Sequence, residues 1–196
     1  MGKIIEKQNL KRVNIIDSAY ELFISKSFTA TSIDDIVRKA GIAKGTFYLY
    51  FKDKYDLMDR IIAHKAISVL KETLDRLDAE TQKHEMSFTE QVMFIVNCTV
   101  SYMENNRELL VLADRKFSKY LTACYSIADS DIKDRIDRIV ELNVSNGFSK
   151  SETMKKIYLT MDMVASVCSD AIIFESPFRL EDIRPQILSS AEKILA

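Results

Sequence analysis

Residues 31–57 read Thr31-Ser32-Ile33-Asp34-Asp35-Ile36-Val37-Arg38-Lys39-Ala40-Gly41-Ile42-Ala43-Lys44-Gly45-Thr46-Phe47-Tyr48-Leu49-Tyr50-Phe51-Lys52-Asp53-Lys54-Tyr55-Asp56-Leu57. Thr31 or Ser32 can cap a short helix, and Asp34 and Asp35 fall in its first turn, where carboxylates meet the positive end of the helix dipole. Ile33, Ile36, Val37 and Ala40 supply its apolar stripe. Gly41 ends it, because glycine takes the left-handed conformation without a Cβ clash. A second short helix spans Gly45 to Phe51, with Phe47 and Phe51 four apart on one face. Lys52-Asp53-Lys54 is a polar break, after which a long helix runs to about Leu77. Two short helices across a tight turn form the helix-turn-helix arrangement, whose second helix lies in a DNA major groove.

Upstream, Leu10, Val13, Ile16, Ala19, Tyr20 and Phe23 recur at three- and four-residue intervals, as in an amphipathic helix. Downstream of the long helix, residues 78–86 are polar and read as a loop. Ser87-x-x-Glu90 is a capping box opening a helix that Asn105-Asn106 breaks, and a further helix carries Leu109 to Leu121. Asp129 or Ser130 caps the next, stopped at Asn146-Gly147. Ser149-x-x-Glu152 opens one that reaches Phe174, and after Ser176-Pro177 a last helix takes Asp182 as its cap, with Pro185 in its first turn.

Composition agrees with an all-α fold. The 196 residues hold only 4 Gly and 2 Pro, too few for the turns of a β-sandwich or barrel. Hydrophobic residues make up 47% and charged residues 29%, enough to bury a core. Cys98, Cys124 and Cys168 form neither an even disulfide framework nor a C-x-x-C pair, which suits a reducing cytoplasm. Charge arrives too early after Met1 for a secretory h-region, and Asp162 and Asp170 interrupt the most apolar stretch, so no membrane span is expected. Residues 1–58 hold 10 Lys/Arg against 7 Asp/Glu, while the remainder holds 18 against 22. A mildly basic head on an acidic body fits a nucleic-acid partner for the head.

The string from Thr31 to Leu57, together with Ile15-Ile16-Asp17-Ser18-Ala19-Tyr20-Glu21-Leu22-Phe23, closely resembles the DNA-binding head of the tetracycline-repressor (TetR) family. The resemblance covers roughly residues 10–60; beyond them, only length and helix order agree. Two departures stand out: Ser27 occupies a position where the family usually has glycine, and Val37 one where a small alanine is usual. A serine there costs up to about 1 kcal/mol relative to glycine if the turn is left-handed. The resemblance implies a helix-turn-helix DNA-binding domain over 1–54 and a helical effector-binding and dimerisation domain over 55–196.

On this reading Lys44, Thr46, Leu49 and Tyr50 are the groove-facing candidates, though Lys44 also suits a solvated surface and Thr46 a helix cap. Gly45 lacks a Cβ where backbone would approach the sugar-phosphate chain, or is simply a turn glycine. Tyr48 and Lys54 resemble the family's phosphate-gripping tyrosine and lysine, and Phe47 and Phe51 already fill the inner face that Tyr48 would otherwise occupy. Thr31 or Ser32, at the positive end of the preceding helix, is a further phosphate anchor or a cap alone.

The helix from Glu152 to Phe174 is apolar around most of its circumference, so it is buried in the monomer, covered by another subunit, or both. The family places this helix and the last in a dimeric four-helix bundle, which makes Leu159, Met163, Val167, Ile187 and Ile194 the expected homodimer interface. The family also encloses an unknown small-molecule effector between the middle helices. The candidate lining residues are Met93, Phe94, Tyr102, Met103, Phe117, Tyr120, Tyr125 and Met161, all of which also suit plain core. No cofactor or metal is expected, and two distant histidines, His64 and His84, make a poor metal site. The chain lacks G-x-S-x-G, G-x-x-x-x-G-K-[ST] and H-E-x-x-H, so an enzyme is disfavoured. The expected function is a ligand-responsive regulator, generally a repressor, released from a palindromic DNA operator; the alternative is a regulator with a vestigial pocket controlled by a protein partner.

Overall fold

The computed structural model describes residues 2–113 and 128–196, with side chains from Leu10 onward. Among the described residues all regular structure is helical: α1 (Gly2–Lys26), α2 (Ile33–Ala40), α3 (Lys44–Tyr50), α4 (Lys54–Thr81), α5 (Phe88–Asn105), α6 (Arg107–Ala113), α7 (Ser130–Ser145), α8 (Lys150–Ile173) and α9 (Leu180–Leu195). The chain forms two compact units, Met1–His64 and Lys65–Ala196, so the division falls within α4.

In the first unit, Ile15, Ile16, Ala19 and Phe23 of α1 are buried, as are Ile36 and Val37 of α2, Phe47 of α3, and Leu57 and Ile61 of α4. Ser27 takes φ 74°, the left-handed turn for which glycine is usual. Its hydroxyl accepts the Ala30 amide at 3.4 Å and lies 3.2 Å from the Thr29 hydroxyl, local partners that offset part of the serine's strain. Val37 packs at the α2 site with only 8% exposure.

In the second unit α8 is the central helix and packs against α5, α6, α7 and α9. Thr160, Val164, Ala165 and Cys168 on it are fully buried. Long side chains tie its ends: Arg107 donates to the carbonyls of Ile172 (3.1 Å) and Ile173 (2.9 Å), and Lys156 donates to that of Leu195 (3.2 Å). These cations satisfy carbonyls that a helix terminus leaves without partners.

Two element boundaries differ from the sequence expectation. α4 continues to Thr81, because Asp78 and Asp75 in its last turns face Arg135 of α7, and that pairing holds the polar segment helical. α9 starts at Leu180, with Arg179 rather than Asp182 at the cap position. Leu180 is buried and anchors the added turn, which leaves Pro185 inside the helix, beyond its first turn. The helix over Leu109 to Leu121 is described only as far as Ala113; its remainder, with Cys124, lies outside the described residues.

No helix among the described residues is long and apolar enough to cross a membrane. No group of His, Cys, Asp and Glu among them could hold a metal ion.

Candidate nucleic-acid interface

Ser32 is the N-cap of α2. Its hydroxyl accepts the Asp35 amide at 3.1 Å, while the Asp35 carboxylate accepts the Ser32 amide at 3.1 Å, completing a capping box. The Ser32 hydroxyl and then its amide, each donating to Asp35, hold that carboxyl below the ordinary carboxylate value, helped by Lys26 and Arg38. At the other end Gly41 takes φ 66°, and Ile42 donates to the Val37 carbonyl at 3.0 Å, so the chain reverses directly into α3. The Asn14 side-chain amide donates 2.9 Å to the Ala40 carbonyl and ties the end of α2 to α1. That contact joins residues 26 apart in sequence, and nothing in the local pattern signals it.

α3 turns its two faces in opposite directions. Phe47 is fully buried and its ring lies 5.6 Å from that of Phe51, which anchors the inner face. Leu49 is 82% exposed and Tyr48 52% exposed on the outer side. The Tyr48 ring meets Phe47 edge-on at 5.3 Å, which orients the tyrosine while leaving it accessible. Thr46 is half-buried; its amide donates to the Ala43 carbonyl at 2.9 Å. A Cβ at Gly45 would meet nothing within 4 Å, so the glycine serves no internal packing and leaves open space outside α3. Tyr50 departs from the sequence reading: it is half-buried, with its ring 6.4 Å from that of Phe51.

The charged groups are paired within the unit. Lys44 reaches across the turn to Asp34, Nζ to Oδ1 2.8 Å, and this hydrogen-bonded carboxylate raises the lysine pKa. Thr31 is corrected more sharply. It is 1% exposed, and its hydroxyl faces the carbonyls of Ser27 (2.8 Å) and Leu22 (3.3 Å), so it is a buried pin and Ser32 is the exposed member of the pair. Lys54 also points inward: its ammonium donates to the carbonyls of Phe28 (2.6 Å) and Thr31 (2.8 Å) and sits 4.3 Å from the centre of the Phe28 ring. Asp53 opens α4 by accepting the amides of Tyr55 (2.8 Å) and Asp56 (2.9 Å).

The remaining candidates lie in the second unit. Met93 and Met103 are buried, Phe94, Tyr102 and Met161 are half-buried, and an Arg76 guanidinium stands 5.8 Å over the Phe94 ring. Phe117, Tyr120 and Tyr125 lie outside the described residues. On α8, Leu159 is 55% exposed, and Met163 and Val167, one and two turns on, are half-buried. Ile194 is half-buried, but Ile187 is buried within the chain at 4% exposure and presents little surface for a second subunit.

An α1–α3 head with a short, outward-facing third helix, in an otherwise all-α chain, defines a helix-turn-helix regulator. Residues 15–61 match the family described as bacterial regulatory proteins, tetR family. The HTH-type transcriptional regulator YvdT of Bacillus subtilis is 34% identical over 102 residues, covering 52% of this chain; the match spans about half of YvdT's own length. The fatty acid metabolism regulator protein of B. subtilis is 21% identical over 73% of this chain and 68% of its own. Among solved structures, a TetR-family regulator from Haemophilus influenzae superposes with a TM-score of 0.57 at 19% identity, over 96% of this chain and 97% of that one. FadR from B. subtilis, solved in complex with stearoyl-CoA, superposes with a TM-score of 0.53 at 16% identity, over 94% and 99%. The chain belongs to the tetR family of bacterial regulatory proteins, with membership carried by its N-terminal unit. Its relatives are transcription regulators rather than enzymes.

Proposed function

We propose that the chain binds a palindromic double-stranded DNA operator as a homodimer, represses transcription there, and is released when a small molecule binds its C-terminal unit. The observation that carries this reading is the exposure of Leu49 (82%) and Tyr48 (52%) on a helix whose Phe47 is wholly buried. An apolar side chain held in solvent on a short, rigid helix has no use within the monomer, whereas the major groove offers thymine methyl groups to it. Lys44, Gly45, Thr46, Tyr48 and Leu49 form the DNA-facing set, with Ser32 at the positive end of α2 as a phosphate anchor.

Leu159, Met163, Val167 and Ile194 form the homodimer face. Two linked heads then read half-sites about 34–36 Å apart or a multiple of it. The effector lies among Met93, Phe94, Tyr102, Met103 and Met161. The fatty acid regulator among the relatives, and the stearoyl-CoA held by a protein of the same fold, make a long-chain acyl-CoA the first effector class to test. Linkage requires that an effector weakening DNA binding itself bind the DNA complex more weakly, typically by about 1–3 kcal/mol.

Selection of duplexes from random sequence by the full chain tests the reading. Enrichment of an inverted repeat that stearoyl-CoA or another small molecule releases supports it. Failure to enrich any duplex over a mock selection overturns it.

A further inference from the structure

We infer that Lys54 is a positioning residue: its ammonium latches the turn after α1 to the start of α4 and so fixes where α2 begins, rather than gripping a DNA phosphate. The inference rests on the DNA-binding reading above only for its consequence, not for its geometry.

Lys54 is the first residue of α4. A cation there is disfavoured, because the first turn of a helix is its positive end. Something must compensate, and three groups of one turn do. The carbonyls of Phe28 and Thr31 accept from Nζ at 2.6 and 2.8 Å, and the negative face of the Phe28 ring lies 4.3 Å away. Neither carbonyl belongs to a helix, since residues 27–32 connect α1 to α2. Two of the three ammonium protons are thereby committed.

The clasped segment is also pinned from its other side. The Thr31 hydroxyl faces the Ser27 and Leu22 carbonyls, and the Phe28 ring stacks edge-on between Phe23 and Tyr55, 5.1 Å from each. Ser32, the α2 cap, follows Thr31 directly. The ammonium therefore sets the first backbone position of the helix-turn-helix pair. With the latch open, the competent geometry is populated a smaller fraction of the time, and apparent DNA affinity falls by that fraction.

Salt dependence separates the two roles. Each lost phosphate contact lowers the slope of log K against log[salt] by about 0.9, whereas a lost positioning contact weakens binding without changing the number of ions released. Lys54→Met keeps the aliphatic stem and removes the ammonium. With a duplex selected by the wild-type chain, it should bind about tenfold more weakly at an unaltered slope. Hydrogen exchange on the DNA-free chain should show faster exchange across residues 28–36. Lys54→Gln, neutral but still able to donate, should recover part of that protection. A slope reduced by about 0.9 per subunit, or exchange identical to wild type in Lys54→Met, overturns the inference. If the wild-type chain selects no duplex, the DNA-binding reading fails, while the exchange comparison still decides whether the latch exists.

Discussion

Lys44 at the start of α3 and Asp34 in the first turn of α2 are joined across the Gly41 turn, with Nζ 2.8 Å from Oδ1 and both side chains more than half exposed. The pair sits on the surface proposed to meet DNA. There the carboxylate both neutralises the lysine and repels phosphate. Asp34→Asn should therefore tighten binding by roughly two- to fivefold at low salt, an effect that shrinks as salt screens the charge. Fluorescence anisotropy across a salt series measures both. Weaker binding by Asp34→Asn would mean that the carboxylate orients Lys44 for contact rather than masking it.

The three capping boxes make an acid-sensitive group. The carboxyls of Asp35, Glu90 and Glu152 are each held below their ordinary values of 3.8, 4.5 and 4.5, first by the cap serine hydroxyl and then by its backbone amide. A depressed folded pKa contributes stability that is complete above the ordinary value and is lost as pH falls through the folded one. Urea midpoints should thus hold steady above about pH 5 and fall below about pH 4. Ser87→Ala or Ser149→Ala should cost about 1 kcal/mol at neutral pH and flatten that acid limb. An acid limb unchanged in both variants would assign the pH dependence to other carboxylates.

Arg135 of α7 is 7% exposed in its side chain and meets Asp75 (2.8 Å), Asp78 (2.9 Å) and Asp131 (3.6 Å). Burial by itself lowers its pKa, yet the hydrogen bond to Asp75 and the three carboxylate charges raise it on balance. The acids are about half exposed or more and can rehydrate when the partner goes, so the loss should be smaller than for a fully buried pair. Arg135→Ala should destabilise by about 2–3 kcal/mol, and Arg135→Met by about half of that, because methionine keeps the buried stem. Equal losses in the two variants by chemical denaturation would mean the charge, not the packing, dominates.

Leu159 is 55% exposed on α8, in line with half-buried Met163 and Val167. A charge at a covered position strands a desolvated ion, so Leu159→Arg or Met163→Arg should shift the chain from dimer to monomer in light scattering. Ile187→Arg should instead impair folding, because Ile187 is already buried within one chain. Intact dimers in both α8 variants would move the interface elsewhere.

Cys168 is fully buried, and burial pushes its thiol from 9.0 up to about 12. Its thiolate fraction at neutral pH is then about a thousandfold below that of an ordinary thiol. Peptide-level mass spectrometry after iodoacetamide treatment should find Cys168 unlabelled in the native chain and labelled after denaturation. Ready labelling of the native chain would show that α8 opens.

What the sequence by itself determined lies close together along the chain. Ser32 with Asp35, Ser87 with Glu90, Ser149 with Glu152, and Gly41 after Ala40 all complete their hydrogen bonds within four residues, so their chemistry forces helix ends wherever the chain goes. Periodicity likewise marked Phe47 as the inward anchor of α3 and Leu49 as an outward residue. Tertiary structure alone decided the partners of long polar side chains. Lys54 and Thr31 both read as phosphate anchors in sequence, but carbonyls 26 and 23 residues away claim the lysine, and the Leu22 and Ser27 carbonyls face the threonine hydroxyl. Asp75 and Asp78 read as a polar loop edge until Arg135, 60 residues beyond Asp75, keeps α4 helical to Thr81. A long flexible side chain binds whichever buried carbonyl or carboxylate the fold brings within reach. No local pattern encodes which one that is.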